Sequence, residues 1–298
     1  MKHLKGKRCF LTGAASGIGR ALALRLAGEG VHLYLVDVDA AGLQTIVDEC
    51  RRRGVVAVGR PCDLSQPTQI SAAIADLLAR WKYIDLLVNN AGVAYYGPTE
   101  KMTGPQWDWL MSINLLAPVQ ITRELLPTLL ARNGAHILNV CSISGIVAGG
   151  RFSAYHTSKF GLTGFTEALR AEYNRKGIGV TNLCPGPVSS NLYNRAISGR
   201  SRGQPVPNPP AWLSASPDYV ARRGVSGIKR NKRLVLVTPL ARLLFALKRI
   251  SPAFLDSLNH VTRRRRPVPA DTTHTEPPPQ FEMALTDLAA VVSQNVAA

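Results

Sequence analysis

Acidic residues are scarce in this chain: 19 Asp and Glu stand against 36 Lys and Arg, a formal charge of +17 over 298 residues. Cysteine is sparse as well. The five thiols, Cys9, Cys50, Cys62, Cys141 and Cys184, are odd in number and show no C-x-x-C spacing, which speaks against a disulfide framework or a zinc site. No stretch reaches the roughly 18 uninterrupted apolar residues that a membrane span needs, and the early apolar run Cys9-Phe10-Leu11 is too short for a signal peptide. The expectation is therefore a cytoplasmic protein in a reducing setting, at most peripheral at a membrane. No internal repeat is visible. With 46% hydrophobic and 18% charged residues, the composition is that of an ordinary globular core.

The positive charge is uneven, with a net +7 over residues 1–194 and +10 over residues 195–298. The last third should therefore meet an anionic surface.

Along the chain, strand and helix patterns alternate for some 180 residues. A buried strand at 7–12 runs into Gly13-Ala14-Ala15-Ser16-Gly17-Ile18-Gly19 and then a helix from Arg20. Glycines there allow a tight turn and let backbone approach a pyrophosphate at the positive end of the helix. The next strand ends in Asp37, about 20 residues on, where a carboxylate can accept from ribose hydroxyls and repel a 2′-phosphate; NAD is favoured over NADP. Helices are expected at 39–53 and 66–81, with a strand at 55–59 between them and Cys62-Asp63-Leu64 at its end, placed to flank an adenine. Ile84 to Val88 leads to Asn89-Asn90-Ala91-Gly92, small and amide residues suited to a flat cofactor's approach. One long helix over 105–131 would hold Asn114, a poor interior residue unless its amide has a partner.

A strand at 135–141 delivers Ser142, thirteen residues ahead of Tyr155. Tyr155 and Lys159 are four apart and share a helix face. A free phenol titrates near ~10, and bringing it to roughly 7 takes about 4 kcal/mol, which an ammonium and a cationic cofactor ring could supply in a dry site. His156 points off that face and reads as a surface or packing histidine. Another buried strand at 179–184 closes on Pro185-Gly186-Pro187-Val188. Unbroken alternation argues for a parallel sheet covered on both faces, with ligands at the carboxyl ends of the strands.

In order and spacing, Thr12 through Gly19, Asp63, Asn89 to Gly92, Asn114, Ser142, Tyr155 with Lys159, and Pro185-Gly186 resemble the short-chain dehydrogenase/reductase family over about residues 5–240. The resemblance implies an α/β, Rossmann-like doubly wound parallel sheet and an oxidoreductase that interconverts a secondary alcohol and a carbonyl by hydride transfer. By it, Tyr155 is the acid/base, Lys159 lowers its pKa and holds the nicotinamide ribose, Ser142 hydrogen-bonds the reacting carbonyl, and Asn114 supports a water reaching Lys159. Pro185, Gly186 and Val188 would border the nicotinamide, with Ser190 where the family often has threonine. Cys141 replaces a serine common before the catalytic one.

Residues 190–217 resemble the family's substrate-covering loop, so Leu192, Tyr193, Trp212 and Leu213 are candidates for an apolar lid, and Tyr95 and Tyr96 for the facing wall. A helix at 217–230 and a strand at 233–237 complete the sheet, making residues 1–239 one catalytic domain. Beyond it the chain departs from the family's usual ending. Leu240, Leu243, Leu244, Leu247, Ile250, Phe254, Leu255 and Leu258 recur at helical spacing beside Arg242, Lys248 and Arg249. This amphipathic extension over 240–262 either lies on an anionic membrane, through residues 240–266, or covers its own core or a sister subunit. From Arg263-Arg264-Arg265-Arg266 onward, a Pro- and Thr-rich, disordered tail is expected, with a short helix at 281–293. The arginine run has no interleaved aromatics, so nucleic acid is not an expected partner.

The expected activity is that of an NAD-preferring dehydrogenase for a lipophilic substrate such as a steroid, retinoid or long-chain alcohol or ketone, in a homo-oligomer. The alternative is a dinucleotide-sensing or scaffolding protein on the same fold, for which an intact Ser142, Tyr155 and Lys159 would serve no purpose.

Overall fold

The computed structural model describes residues 1–190, 192–193, 195–199 and 206–251. Seven parallel strands form one sheet in the order β3-β2-β1-β4-β6-β7-β9. They are β1 (Arg8–Thr12), β2 (His32–Asp37), β3 (Ala57–Pro61), β4 (Leu86–Asn89), β6 (His136–Val140), β7 (Gly179–Cys184) and β9 (Leu234–Leu236), while β5 (Tyr95–Tyr96) and β8 (Ile197–Ser198) pair separately.

Strand periodicity divides the core. Cys9, Leu11, Leu33, Leu35, Leu86, Val88 and Leu138 point to one face, where α1 (Gly17–Gly28), α2 (Ala40–Arg51) and α7 (Pro217–Lys229) cover them. Phe10, Tyr34, Val36, Leu87 and Ile137 point to the other, under α3 (Pro67–Trp81), α5 (Ala117–Leu130) and α6 (Ser153–Tyr173). Strands β1, β2, β4, β6 and β7 are thus sandwiched, which is why these segments read as continuous apolar runs. Strand order reverses between β1 and β4, and a crevice opens at their carboxyl ends. All five cysteines are buried and free.

Three expectations shift. The long helix at 105–131 is α4 (Gly104–Met111), a widened π turn at Ser112–Leu116 and then α5, because Asn114 turns its amide inward to the chain after β4 instead of fitting a regular turn. The strand expected at 55–59 begins at Ala57, since Val56 is exposed and its N–H goes to His32 Nδ1. The C-terminal amphipathic helix is α8 (Pro239–Ile250), and Phe254, Leu255, Leu258 and the tail from Arg263 lie outside the described residues.

Candidate active site

Above β1 the chain turns on glycines. Gly17 has φ +53, in the left-handed region, and a Cβ on Gly19 would lie 1.8 Å from the Gly13 carbonyl oxygen. Ser16 precedes α1 in extended conformation, and its side chain makes no capping bond, so the helix's first N–H groups carry no side-chain cap. The turn is braced from β4: Asn90 Nδ2 donates to the Thr12 and Gly13 carbonyls at 2.9 and 3.0 Å, and Thr12 Oγ1 accepts from Asn90 N and Ala91 N. Asp37, at the end of β2, accepts from Ala15 N at 2.8 Å and Asp39 N at 3.0 Å. Asp63 accepts from Ser65 N.

These groups line one cavity of about 550 Å³. Gly13, Ser16, Gly17, Ile18, Asp37, Asp63 and Leu64 border one end; Asn90, Ala91, Gly92, Ser142, Tyr155, Lys159, Pro185, Gly186, Val188, Ser190, Leu192 and Tyr193 border the rest. Gly19 sits behind the turn and does not line it.

The catalytic candidates come from three elements. Ser142 follows β6, and its Oγ accepts from Ser144 N at 3.0 Å, leaving its proton free to donate. Tyr155 and Lys159 occupy the first turns of α6, whose tyrosine end Phe152 packs against at a ring separation of 6.2 Å. Lys159 is 3% exposed; its Nζ donates to the Val140 carbonyl at 3.2 Å and lies 5.8 Å from the Tyr155 ring centroid. Burial raises the Tyr155 phenol above its ordinary range, more strongly than the Ser142 hydroxyl beside it pulls it down. The same burial lowers Lys159. A dry site thus disfavours both charged forms.

Three expected placements change. Tyr95 is 2% exposed and packs with Leu110 and Ala154, away from the cavity. Tyr96 packs tilted against Phe152, with ring centroids 4.9 Å apart, and backs the wall instead of forming it. Trp212 is 83% exposed, on a single turn at Ala211–Leu213, and does not line the cavity. Asn114 is fully buried and does not border it either; its amide exchanges two bonds with Val93 and donates to Ser158 Oγ at 3.1 Å. Sequence reasoning missed Trp109, Ile113, Phe152 and Arg195 on the cavity wall. Phe152 carried a signal, standing one helical turn before Tyr155 on the same face. His156 is a packing residue as expected: its ring joins the Ser144 carbonyl and Gly149 N.

A family model described as "short chain dehydrogenase" matches residues 7–200. The chain belongs to the short-chain dehydrogenase/reductase family. It is 34% identical over 197 residues to the "CLA biosynthesis dehydrogenase/reductase" of Lactiplantibacillus plantarum, covering 65% of this chain and 69% of that protein. To the "Probable oxidoreductase EphD" of Mycobacterium tuberculosis it is 34% identical over 259 residues, 83% of this chain but only 43% of that relative, so it spans less than half of EphD's length. A solved short-chain dehydrogenase/reductase from Burkholderia phymatum in complex with NAD shares the fold at TM-score 0.76 and 24% identity, over 92% of this chain and 100% of the other. This family member is accordingly an oxidoreductase acting on CH–OH groups. The residues present fit a nicotinamide dinucleotide: Gly19 leaves no room for a side chain at the turn, the start of α1 carries no side-chain cap, and a carboxylate stands at the end of β2.

Proposed function

We propose that the enzyme interconverts a lipophilic secondary alcohol and its ketone, with NAD preferred over NADP. The observation that carries this reading is the convergence of Ser142, Tyr155 and Lys159 on the cavity whose other end is the glycine turn. A bound nicotinamide dinucleotide supplies or takes the hydride. Tyr155 gives or receives the proton at the substrate oxygen. Ser142, whose Oγ already accepts from Ser144 N, donates to that same oxygen. Lys159, anchored on Val140, is placed to bind the nicotinamide ribose and to favour the phenolate electrostatically once a proton leaves.

Asp37 supports the NAD preference, since its fixed carboxylate would repel a 2′-phosphate. The lipophilic substrate follows from Trp109, Ile113, Phe152, Leu192 and Tyr193 on the wall. A homo-oligomer is supported by Leu116, 58% exposed before α5, and by the partly exposed Phe160 on α6. An anionic membrane surface is supported by α8, whose exposed Leu243 and Ile250 are flanked by Arg242 and Arg249.

The test is a panel of steroids, retinoids and long-chain alcohols and ketones with NAD(H), followed by nicotinamide absorbance. Turnover that disappears in Tyr155→Phe, while the variant still binds NADH, is the expected result. Turnover that survives in the variant would sink the assignment.

A further inference from the structure

Among the described side chains that line the cavity, two are cationic. Lys159 is committed to the Tyr155 end, where its amine donates to Val140. Arg195 is the other. Its guanidinium lies at the opposite end, with Nη2 3.9 Å from Asp39 Oδ2. Asp39 caps α2 through Gly42 N, and its own N–H is held by Asp37, the carboxylate that also takes Ala15 N in the glycine turn. Arg195 is thereby placed beside the turn that a dinucleotide's phosphates approach.

Described chain on either side of Arg195 is anchored. Val188 bridges Ala215 and Ser189 N donates to the Ala215 carbonyl before it, while Ile197 N donates to the Ala94 carbonyl and Gly199 N to Tyr96 after it. The described residues on either side are thus tied to the strand-end proline turn and to the wall beyond β4, with the Arg195 guanidinium near Asp39, two residues past the end of β2. The ion pair with Asp39 is long and its arginine is 58% exposed, so it is weak and easily exchanged. A phosphate, bidentate and doubly accepting, is a better partner for a guanidinium than one distant carboxylate.

Resting on the dinucleotide reading above, we infer that Arg195 is a phosphate-binding residue of the cofactor site, held by Asp39 and transferred to the phosphates of the adenosine half when a dinucleotide binds. The site then carries a cation at each end, and Asp39 competes for one of them. No residue in the glycine turn itself is basic, so a side-chain cation at the phosphates comes from elsewhere in the chain.

The experiment is titration of the full chain with NADH, NADPH, ADP-ribose and adenosine, read by calorimetry. Arg195→Ala should weaken NADH and ADP-ribose about tenfold, the scale of one charge-assisted hydrogen bond, and leave adenosine unchanged. Arg195→Lys should retain most of the affinity. Asp39→Asn, which keeps a capping side chain, should tighten NADH in the native background and have no effect beside Arg195→Ala. A loss confined to NADPH would assign the arginine to the 2′-phosphate instead of the pyrophosphate, and still to a phosphate. Equal loss for adenosine, or none for any ligand, would overturn the inference. If the native protein itself binds no NADH, the dinucleotide reading fails first, a result distinct from native binding that Arg195→Ala leaves intact.

Discussion

Asn114 and Val93 exchange two hydrogen bonds: the amide oxygen accepts from Val93 N at 2.8 Å and the amide nitrogen donates to Val93 O at 2.9 Å. A side chain thereby does what a neighbouring strand would do for the segment just after β4, where no strand is available. The widened turn at Ser112–Leu116 is the local distortion that aims the amide there. A Cβ on Gly92 would lie 3.4 Å from both Asn114 Oδ1 and Lys159 Nζ, so this brace sits directly behind the ammonium.

Replacing Asn114 by Ala should therefore cost both stability and turnover. Three hydrogen bonds are lost and buried backbone groups are left without partners, a penalty of about 2–4 kcal/mol. Urea unfolding should show the midpoint fall at unchanged slope. An undiminished midpoint would mean that the amide's contacts contribute nothing net.

Gly19→Ala tests the glycine turn. The new methyl would lie 1.8 Å from the Gly13 carbonyl oxygen, a backbone atom that cannot step aside without moving β1's end. NADH binding should be lost while the far-ultraviolet circular dichroism of the sheet and helices survives. Gly28→Ala, whose Cβ meets nothing within 4 Å, is the matched control on the same helix and should bind as the native chain does.

Much of this was legible in the sequence because local chemistry dictated it. The apolar strand runs, the glycine turn and the Tyr155–Lys159 spacing are short-range signals, and each appears close to where it was expected. The placements that failed depend on chain segments far apart. Tyr95 reads as a cleft aromatic until β5 is seen to pair with β8, more than a hundred residues later, which turns the ring toward Leu110. Trp212 reads as a lid residue because it is large and apolar, yet the turn at Ala211–Leu213 points it outward. Nor could spacing reveal that Asn89, Asn139 and Asn182 stand at one level of three adjacent strands, with Asn89 donating to Asn139 and Asn139 to Thr166.

His136 predicts the acid limb of stability. It is fully buried in β6, and burial lowers its pKa from 6.5 to about 3. Thr181 Oγ1 donates to the Lys232 carbonyl and so accepts from His136 Nε2–H, which leaves Nδ1 as the bare nitrogen, without a partner among the described residues. Protonation would place an N–H there with no acceptor. Since the folded-state pKa is depressed, the stabilisation is complete above pH 6.5 and is lost as pH falls toward 3, by up to roughly 5 kcal/mol. His136→Gln should flatten the stability profile across that window. A profile as steep as that of the native protein would assign the acid sensitivity to other groups.

The final prediction concerns α8, the last described element. Its inner side is anchored: Ala241 is fully buried, and Lys248 donates to the Ile146 carbonyl while its ammonium lies 4.6 Å from the Phe160 ring centroid. Its outer side carries Leu243, 56% exposed, and Ile250, 82% exposed, one apolar stripe with Arg242 and Arg249 beside it and no acidic residue from Pro239 to Ser251. No helix among the described residues is long and apolar enough to cross a membrane, so any attachment would lie in the interface plane. Each arginine near anionic lipid contributes about 1 kcal/mol, and burial of the two aliphatic side chains adds roughly 1.5–3 kcal/mol each. Vesicles containing phosphatidylserine should therefore carry the full chain in flotation, vesicles of phosphatidylcholine alone should not, and added salt should release it. Leu243→Glu with Ile250→Glu should abolish flotation without lowering the unfolding midpoint, because neither side chain is buried in the fold. Flotation of this double variant equal to that of the native chain would remove α8 from the lipid contact.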